Sequence, residues 1–288
     1  MNGIAIIGTG RLGTSLATAL VAAGQSVRYL ADKNPAALRA SRKIVGRGLI
    51  TAESAVAAAG ANIIFLSIPD DEIVSAAKQL ARKGGSWRGK IVFHTSGLRP
   101  SEDLKPLRAL GAACASFHPV QSFPRNDIPA SHFSGIFVGL EGDAKAVRAG
   151  RALARGLGAR PFRVEAKDKP LYHAACSMAS NLFVPLFEAA RGLLRATGLG
   201  DREAARILGP LIEGTLQNVK NIDASTALTG PIARGDAATI KAHLAALKPF
   251  PAARRIYIAL GKDVLRIAKK GNLSPAKVKA LKRRLAGK

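Results

Sequence analysis

Cysteine, aromatic residues and acidic residues are all scarce in this chain of 288 residues. Its two cysteines, Cys114 and Cys176, are too few for a disulfide framework or a thiolate metal site, so we expect reduced thiols and no metal. Aromatic residues make up only 5% of the chain, and no nucleic-acid-binding module is recognisable. Nucleic acid is therefore not an expected partner.

Long apolar runs are also lacking. The longest, residues 56–68, is interrupted by Gly60, Asn62 and Ser67 and is shorter than the roughly 20 residues that cross a bilayer. The first residues, MNGIAIIGTG, contain no basic segment before the apolar run, whereas a secretory signal peptide begins with one. We therefore expect a soluble, cytoplasmic protein with no membrane partner.

Acidic residues number 19 against 44 lysines and arginines, which gives a net charge of +25. Residues 262–288 hold ten of these bases and a single acid, Asp263. Such a basic end can contact nucleic acid or an acidic partner, or it can be the solvated side of a helix. With so few aromatic residues to interleave, the solvated helix is the favoured interpretation.

Short apolar runs alternate with alanine-rich helical segments in the first half of the chain. Candidate strands are residues 3–8, 26–31, 62–68, 90–96, 113–118 and 135–140, followed by one at about 160–165. The helical stretches between them are residues 11–24, 35–43, 70–83, 101–110 and about 143–157. This alternation predicts an α/β fold with a Rossmann-like, doubly wound parallel sheet and helices on both faces.

From Pro170 onward the strand pattern stops and an all-helical domain is predicted. Its segments are residues 170–197, 201–220, 236–247, 251–269 and 275–286, with Asp201, Asp236 and Ser274 as expected N-caps. We place a dinucleotide-binding domain at residues 1–166 and a helical domain for substrate binding and dimerisation at residues 167–288. The apolar stretch LFVPLFEAARGLL predicts a homodimer, since one helix layer would leave much of it exposed.

The stretch GTGRLG, residues 8–13, follows a predicted strand and opens a predicted helix. In that setting the first glycine permits a tight turn, the second lets the backbone approach a pyrophosphate, and the third lets helix and strand pack closely. The helix amino terminus adds free N–H groups and a partial positive charge. The residues expected to contact a dinucleotide here are Gly8, Thr9, Gly10, Arg11, Leu12 and Gly13.

Residues at the next strand ends predict the rest of the cofactor site. Asp32 lies 19 residues after Gly13, where an acid bonds the ribose hydroxyls of NAD, whereas Lys33 beside it favours the extra phosphate of NADP. The cofactor is therefore NADP or NAD, with a slight preference for NADP. Three further cofactor contacts are expected at Ser67, Pro69 and His94.

Two histidines close predicted strands, His94 in KIVFHTSG and His118 in ACASFHPVQSF. Ligands of open parallel sheets bind at the carboxyl ends of strands, so both histidines are expected near the site. Ser96 and Gln121 follow closely and offer hydrogen bonds to a polar substrate, as does His118 itself. No local pair of ligand residues accompanies them, which argues against a metal.

The segment KDKPLYHAACSMASN places Lys169, His173, Ser177 and Asn181 at steps of four residues among small side chains. On a helix such positions share one face, where each unpaired buried polar group would cost about 1–3 kcal/mol. We therefore expect a ligand on this face, although a plain helix–helix contact is the alternative. His173 is the candidate acid and base, and Ser177 a candidate substrate contact. Asn181 and Ser96 are expected to orient the reacting carbonyl.

A polar connection, ALTGPIARGD, joins two predicted helices downstream. Its Arg234 is a candidate substrate contact, because a guanidinium can pair a carboxylate through two hydrogen bonds. The alternative is an ordinary turn in which Asp236 caps the next helix.

Five motifs together, GTGRLG, FHTSGLRPSEDL, SFHPVQSF, KPLYHAACSMASN and ALTGPIARGD, resemble a bacterial family that pairs a Rossmann-like domain with a helical carboxy-terminal domain of unknown function. The resemblance covers roughly residues 3–270. More distantly, the layout is similar to ketopantoate reductase, prephenate dehydrogenase and pyrroline-5-carboxylate reductase. The His-Pro stretch, similar to that of prephenate dehydrogenases, implies that His118 lies near a substrate.

The resemblance to ketopantoate reductases bears on the proton donor. Those enzymes carry Lys, Asn and Asn at four-residue spacing, with the lysine as general acid, and the matching positions here are His173, Ser177 and Asn181. Lys169 lies one turn earlier, so His173 and Lys169 both stay open as the acid.

The sequence thus predicts an NAD(P)-dependent oxidoreductase that acts on a small carboxylate-bearing carbonyl or alcohol. The resemblance implies a ketopantoate-like 2-keto acid. The alternatives are a non-catalytic dinucleotide-binding regulator that uses its basic tail, and a chain that no longer binds a cofactor.

Overall fold

A computed structural model describes residues 3–83, 85–269 and 273–286. The chain divides into two compact units, Met1–Ser180 and Asn181–Lys288. The sequence analysis placed its boundary at residues 166/167, where strands give way to helices. The boundary between the compact units lies later in the chain, because the helix after residue 168 packs with the first unit. The division into a dinucleotide-binding domain and a helical substrate-binding domain stays a prediction.

An eight-stranded sheet forms the centre of the first unit. The strands are β1 (Ile4–Ile7), β2 (Val27–Ala31), β3 (Leu49–Thr51), β4 (Ile63–Leu66), β5 (Ile91–His94), β6 (Ala113–Pro119), β7 (Phe137–Gly142) and β8 (Arg160–Arg163). Their spatial order is β3-β2-β1-β4-β5-β6-β7-β8. The chain reverses direction across the sheet between β1 and β4, which is where open α/β sheets bind ligands.

The sheet is parallel except at one pairing, so the expected α/β class with a Rossmann-like, mostly parallel sheet is confirmed. Strands β6 and β7 run antiparallel, with His118 opposite Gly139 and Ala115 opposite Gly142. A parallel pairing needs a crossover, usually a helix. Residues 120–136 between these strands supply only the short 3₁₀ turn Ala130–Phe133, and the chain therefore returns in the opposite direction.

Among the described residues of the first unit, seven α-helices connect or follow these strands. They are α1 (Arg11–Ala22), α2 (Pro35–Val45), α3 (Ser54–Ala59), α4 (Ile73–Arg82), α5 (Lys105–Arg108), α6 (Ala144–Gly156) and α7 (Lys169–Ala179). Neither β3 nor α3 was expected from the sequence. Strand β3 is only three residues long and two of its residues are exposed, so its apolar pattern is weak.

Alternate residues of the central strands enter two separate cores, one on each face of the sheet. In β1, Ile4 and Ile6 belong to one core, which also receives α1 and α6, whereas Ala5 and Ile7 belong to the other, which receives α3, α4 and α5. Phe65, Phe93 and Phe117 from three adjacent strands pack together in the first core, with ring centroids 4.9 to 5.7 Å apart; Phe65 and Phe93 stack, and Phe117 meets both edge-on. This layered burial fixes the strand ends on which the site is built.

Seven helices form the second unit among the described residues. They are α8 (Phe183–Arg195), α9 (Asp201–Asn221), α10 (Ala224–Ala227), α11 (Pro231–Arg234), α12 (Ala237–Ala246), α13 (Pro251–Ala268) and α14 (Pro275–Leu285). Asp236 and Ser274 cap α12 and α14 as predicted, whereas Gly200, and not Asp201, is the N-cap of α9. The single helix expected at residues 170–197 is interrupted between Ala179 and Phe183. Pro185, in the first turn of α8, has no N–H to donate to the carbonyl four residues earlier, which favours a new helix start here.

Helix α14 carries most of the described part of the basic tail. Leu281 and Leu285 are buried in the core of the second unit, whereas Lys279, Lys282 and Arg283 are exposed. Helix α14 is therefore amphipathic, with a solvated basic side; of the basic end, Lys270, Gly271, Asn272, Gly287 and Lys288 lie outside the described residues.

The turn after β1 is held by close contact between backbones. Gly8 has φ +92°, which favours glycine, and a side chain added there would meet the Ser67 carbonyl. A Cβ on Gly13 would lie 1.9 Å from the Gly8 carbonyl oxygen, whereas a Cβ on Gly10 would have no atom within 4 Å. Gly8 and Gly13 are thus required by the fold, while Gly10 leaves open space.

This difference predicts opposite behaviour of two alanine variants. Gly13→Ala must separate α1 from the turn, and overpacking of this kind costs about 1–3 kcal/mol or more, which should lower Tm by several degrees. Gly10→Ala should lower it little. Thermal unfolding followed by circular dichroism measures both, and equal Tm values for Gly13→Ala and the parent would contradict the proposed packing.

Candidate functional site

A cavity of about 600 Å³ opens at the carboxyl ends of β1, β2 and β4. We call it the turn cavity. Six of the predicted cofactor residues line it: Gly8, Gly10, Asp32, Lys33, Ser67 and Pro69. Residues 52–55 also line it, as do Ser75, Gln79 and Lys83 of the α4 segment. The sequence analysis missed residues 52–55 because it did not predict β3 and α3, and it did not single out the other three on the helix that it predicted.

Asp32 is held by the glycine turn itself. Its Oδ2 accepts hydrogen bonds from the Thr9 N–H (2.6 Å) and the Thr9 hydroxyl (2.9 Å), and its Oδ1 accepts one from the Asn34 N–H (2.8 Å). Thr9 is fully buried and serves this contact. Lys33 pairs with Glu72 at 3.0 Å, with both side chains largely exposed, so this ion pair restrains Lys33 only weakly.

A second cavity of about 350 Å³ adjoins the first, and the two share Gly10, Ser67 and Ile68. We call it the histidine cavity. Eight predicted residues line it: Gly10, Arg11, Leu12, Ser67, Ser96, His118, Gln121 and His173. The structure therefore unites, within one unit, residues that the sequence placed at four strand ends and on a later helix.

Ser96 is fixed by a ring of hydrogen bonds. Its hydroxyl donates to Asp70 Oδ2 at 2.8 Å and accepts from the N–H groups of Leu98 (3.1 Å) and Arg99 (2.9 Å). The loop after β5 is thereby held against the loop after β4. Gly97, in the loop after β5, lies very close to two imidazoles. A Cβ added to it would be 2.6 Å from His173 Cδ2 and 2.8 Å from His118 Cε1.

His118 is oriented by Tyr172, a residue that the sequence analysis did not single out. The Tyr172 hydroxyl lies 2.6 Å from His118 Nδ1. Burial raises the pKa of Tyr172, so the phenol keeps its proton and we assign it as the donor. The ring proton of His118 then resides on Nε2. Burial, together with the nearby Lys169 and His173, lowers the pKa of His118 to about 4, so its ring is neutral near pH 7.

Lys169, the first residue of α7, is almost completely buried, with 1% of its surface exposed. Its ammonium donates to the Ser116 hydroxyl at 2.9 Å and to the Ser96 carbonyl at 3.2 Å. Burial lowers the pKa of Lys169 to about 8, although the carboxylates of Glu141 and Asp70 partly oppose this. Lys169 thus connects α7 to the ends of β5 and β6, and it lies behind the histidine cavity and not among its lining residues.

Six predicted site residues line neither cavity, and one of them is Thr9, which is fully buried and bonds Asp32. His94 is fully buried, because the chain after β5 folds over it and the Ser96 N–H donates to its Nδ1. Burial and Lys169 lower the pKa of His94 to about 3. The others are Gly13, which packs on Gly8, Ser177, which is half-buried on α7, and Asn181 and Arg234, which belong to the second unit. The functional roles given to these residues stay predictions.

Other expected features concern cysteines, metals and membranes. Cys114 and Cys176 are free thiols, and burial raises the pKa of Cys114 to about 12. Within residues 3–83, 85–269 and 273–286, no group of three or more His, Cys, Asp or Glu side chains is arranged to hold a metal. None of the helices in this part of the chain combines the length and hydropathy needed to cross a bilayer.

Two family models match the chain. Residues 2–119 match a Rossmann-like domain, and residues 136–264 match a domain of unknown function, DUF2520. The chain therefore carries a Rossmann-like domain followed by a DUF2520 domain, which confirms the pairing that its motifs resemble. Among curated proteins, none matches the sequence.

Solved structures share the fold over nearly the whole chain. One is a protein of Bacteroides fragilis assigned as an NADP oxidoreductase, with a TM-score of 0.77, 22% identity, and coverage of 92% of this chain and 98% of that one. A reductive aminase from Aspergillus terreus in complex with NADPH and ethyl-5-oxohexanoate has a TM-score of 0.69 and 16% identity and covers 98% and 99%. A pyrroline-5-carboxylate reductase from Coxiella burnetii has a TM-score of 0.58 and 14% identity and covers 99% and 97%. At these identities the likeness shows the fold.

The buried ammonium of Lys169 predicts a specific pH dependence of stability. The pKa of Lys169 is about 8 in the folded chain and near 10.5 in the unfolded chain. Between pH 8 and pH 10.5 the unfolded chain therefore binds more protons than the folded chain, and the free energy of unfolding rises with pH. The destabilising effect of the buried ammonium is relieved over this range. The Tm of the parent protein should therefore rise relative to that of Lys169→Met from pH 8 to pH 10.5.

Differential scanning calorimetry across this pH range measures the Tm difference. Lys78→Met, on the exposed side of α4, is the matched control and should show a constant difference, since an exposed ammonium bears no desolvation cost. A constant difference for Lys169→Met as well would show that its ammonium is solvated.

Proposed function

We propose that the protein is a dinucleotide-dependent reductase that reduces a small carbonyl compound in the histidine cavity. The observation that carries this proposal is the continuity of the two cavities across Gly10, Ser67 and Ile68. A cofactor lying along this path would have its adenosine part in the turn cavity and its reactive ring beside the imidazoles. The reduced form of the cofactor, NADPH or NADH, would supply the hydride and leave as NADP or NAD.

The residues at the amino end of α1 fit a pyrophosphate. Gly10 is the N-cap, no side chain caps the helix, and the first turn contains no acidic residue, so its N–H groups and positive dipole end are free for an anion. The open space around Gly10 gives phosphates close access to the backbone. The NADP and NADPH named for two of the structural neighbours support the same assignment.

The choice between NADP and NAD rests on Asp32 and Lys33. Asp32 already accepts hydrogen bonds from Thr9 and Asn34, so part of its capacity to bind ribose hydroxyls is used. Lys33 lines the turn cavity and needs only to leave a weak surface ion pair to reach a phosphate. These contacts favour NADP.

The charges around the histidine cavity favour an anionic substrate. Arg11 lines it and the Lys169 ammonium lies behind it, while its one acidic lining residue, Asp70, accepts a hydrogen bond from Ser96. This environment disfavours a cationic iminium and favours a carbonyl compound that carries a carboxylate. A 2-keto acid, with its two adjacent functional groups, suits a cavity of about 350 Å³. Gln121 offers a further hydrogen bond to it.

His173 is the proposed proton donor, and His118 the proposed hydrogen-bond donor to the reacting oxygen. His118 is oriented by Tyr172, and its lowered pKa keeps it neutral, so it can donate a hydrogen bond through Nε2 but is a poor acid. His173 lines the same cavity and can transfer a proton to the oxygen as the carbon is reduced. Lys169 is the alternative acid, but its ammonium is engaged by Ser96 and Ser116.

Contacts from other parts of the chain complete the proposal. Ser96 would orient the carbonyl, and Ser177 would contact the substrate. The roles expected for Asn181, orienting the carbonyl, and for Arg234, pairing with a carboxylate, stay predictions from the sequence. The exposed apolar residues of the second unit, among them Leu182, Val184, Ile207, Leu211, Leu216 and Val219, support the predicted homodimer.

The alternative, a non-catalytic regulator that uses its basic tail, has to be tested with variants that keep the core of the second unit intact. Deleting the basic tail would remove Leu281 and Leu285 from the core of the second unit. Replacing Lys279, Lys282 and Arg283 by glutamine removes three exposed charges from α14 and keeps these leucines. No observation in the described residues favours this alternative over a reductase.

The direct test of the function is turnover with a panel of small 2-keto acids, using NADPH and NADH in parallel and following the absorbance of the reduced cofactor. We expect oxidation of NADPH with at least one short 2-keto acid, and a marked loss of NADPH affinity in Gly10→Ala, whose added methyl occupies the space for phosphate. NADPH binding without turnover of any keto acid would contradict the proposed substrate class. No binding of either cofactor would contradict the function itself.

The proton donor is tested by His173→Ala, which should lower kcat by about 100-fold or more while the affinity for NADPH is unchanged. Gly97→Ala should act in the same direction, because its methyl displaces the rings of both His118 and His173. His243→Ala, on a histidine that lines neither cavity, is the control and should retain full kcat. Unchanged kcat in His173→Ala with a large loss in Lys169→Met would assign the proton to Lys169.

A further inference from the structure

A third cavity, of about 470 Å³, lies between α6 and the end of β8. Four arginines line it: Arg148, Arg151, Arg155 and Arg163. We call it the arginine cavity. None of the proposed catalytic or cofactor-binding residues lies in it, so the function proposed above leaves these four side chains without a role.

The spacing of the three helical arginines places them on one side of α6. Residues 148, 151 and 155 lie within about 60° of one another around the helix and span about 10 Å along it. Arg163, the last residue of β8, contributes a fourth guanidinium from the neighbouring strand. Arg151 is half-buried and the other three are exposed, so one side chain is partly fixed by packing while the others can adjust to a ligand.

No acidic residue neutralises this group among the described residues that line the cavity. Asp143, at the start of α6, accepts instead from Arg108 and from the Cys114 N–H. Glu165 pairs with Arg163 at 3.0 Å on the exposed surface. Within the described residues, the other three guanidinium groups, those of the helical arginines, form no salt bridge with a carboxylate. The helix dipole accounts for a base in the last turn, Arg155, but not for Arg148 or Arg151. Repulsion among like charges here is relieved by binding an anion.

The arginine cavity is separate from the other two cavities because of the antiparallel pairing in the sheet. Gly142, at the carboxyl end of β7, lies opposite Ala115 near the amino end of β6, whereas His118 lies near the other end of β6. Strands β7 and β8 therefore run opposite to β1, β4 and β5, and their carboxyl ends lie on the side of the sheet where the amino ends of those strands lie. These arginines cannot be contacts of the same bound dinucleotide.

We propose that the arginine cavity is a binding site for a small phosphorylated anion that carries at least two negative charges. Guanidinium groups match phosphate oxygens through paired hydrogen bonds, and several can engage one ligand. The concave shape and the 10 Å extent of the arginine row suit a compact ligand. Single-stranded nucleic acid is bound by basic grooves interleaved with aromatic side chains, and no aromatic residue is among the lining residues of this cavity.

Inorganic pyrophosphate is the probe for the test, titrated into the full chain by isothermal calorimetry at low ionic strength and again at physiological ionic strength. The test variants are Arg148→Gln/Arg151→Gln and, on the neighbouring strand, Arg163→Gln. The matched control is Arg202→Gln/Arg206→Gln, which removes two exposed charges from α9. Binding at the glycine turn is separated by repeating the titration in Gly10→Ala, where the arginine cavity is intact.

We expect Arg148→Gln/Arg151→Gln to weaken pyrophosphate binding at least tenfold, Arg163→Gln to weaken it in the same direction, and the control to bind like the parent. The binding should persist in Gly10→Ala, which distinguishes this site from the cofactor site. Equal affinity in the parent and the Arg148→Gln/Arg151→Gln variant would overturn the proposal. It would also be overturned by an equal loss in the control, or by tight binding of a single-stranded oligonucleotide in the absence of pyrophosphate binding.

Discussion

The buried ammonium of Lys169 is the interaction on which the arrangement of the histidine cavity depends. It connects the first turn of α7 to Ser116 on β6 and to the Ser96 carbonyl after β5. One turn further along the same helix, Tyr172 bonds His118 and His173 enters the cavity. A charge is seldom buried without full compensation, because desolvation is expensive. We therefore attribute the buried charge of Lys169 to its effect on the positions of Tyr172 and His173, and not to a gain in folding stability.

The reacting groups and the cofactor path are linked through the same backbone. The Gly8–Gly13 turn packs on the Ser67 carbonyl, and the loop that follows Ser67 carries Asp70, which accepts from Ser96. Gly97 then lies against both imidazoles. A cofactor that displaced this turn would act directly on the loops that hold the imidazoles, so cofactor binding and organisation of the reactive end are expected to be coupled.

The sequence predicted those parts of the site that depend on short-range patterns. The glycine turn has a fixed spacing, and His118 lies near the end of a buried strand with a clear apolar pattern, so both could be placed at strand ends from the sequence. The wall of the turn cavity at residues 52–55 was missed because β3 has only three residues and little apolar pattern. The antiparallel β7, and with it the location of the arginine cavity, depends on how residues 120–136 return to the sheet, which no local pattern encodes.

Long-range compensation explains the other differences. Lysine is rarely fully buried, and the burial of Lys169 becomes understandable only when Ser96, Ser116 and Glu141 are brought together by the sheet. Tyr172 looked like an ordinary helix residue, since its partner is 54 positions away in the sequence. His94 shows the converse, because a histidine at a strand end was expected to reach a ligand but is covered by the residues that follow it.

The central claim is that the reactive ring of the cofactor lies beside His118 and His173, and proton NMR tests it most directly. In a histidine-labelled protein saturated with NADP, nuclear Overhauser contacts between the nicotinamide protons and the imidazole protons report this proximity. We predict contacts to both rings, and their loss in Gly97→Ala. Saturating NADP binding with no contact to either imidazole would contradict the account.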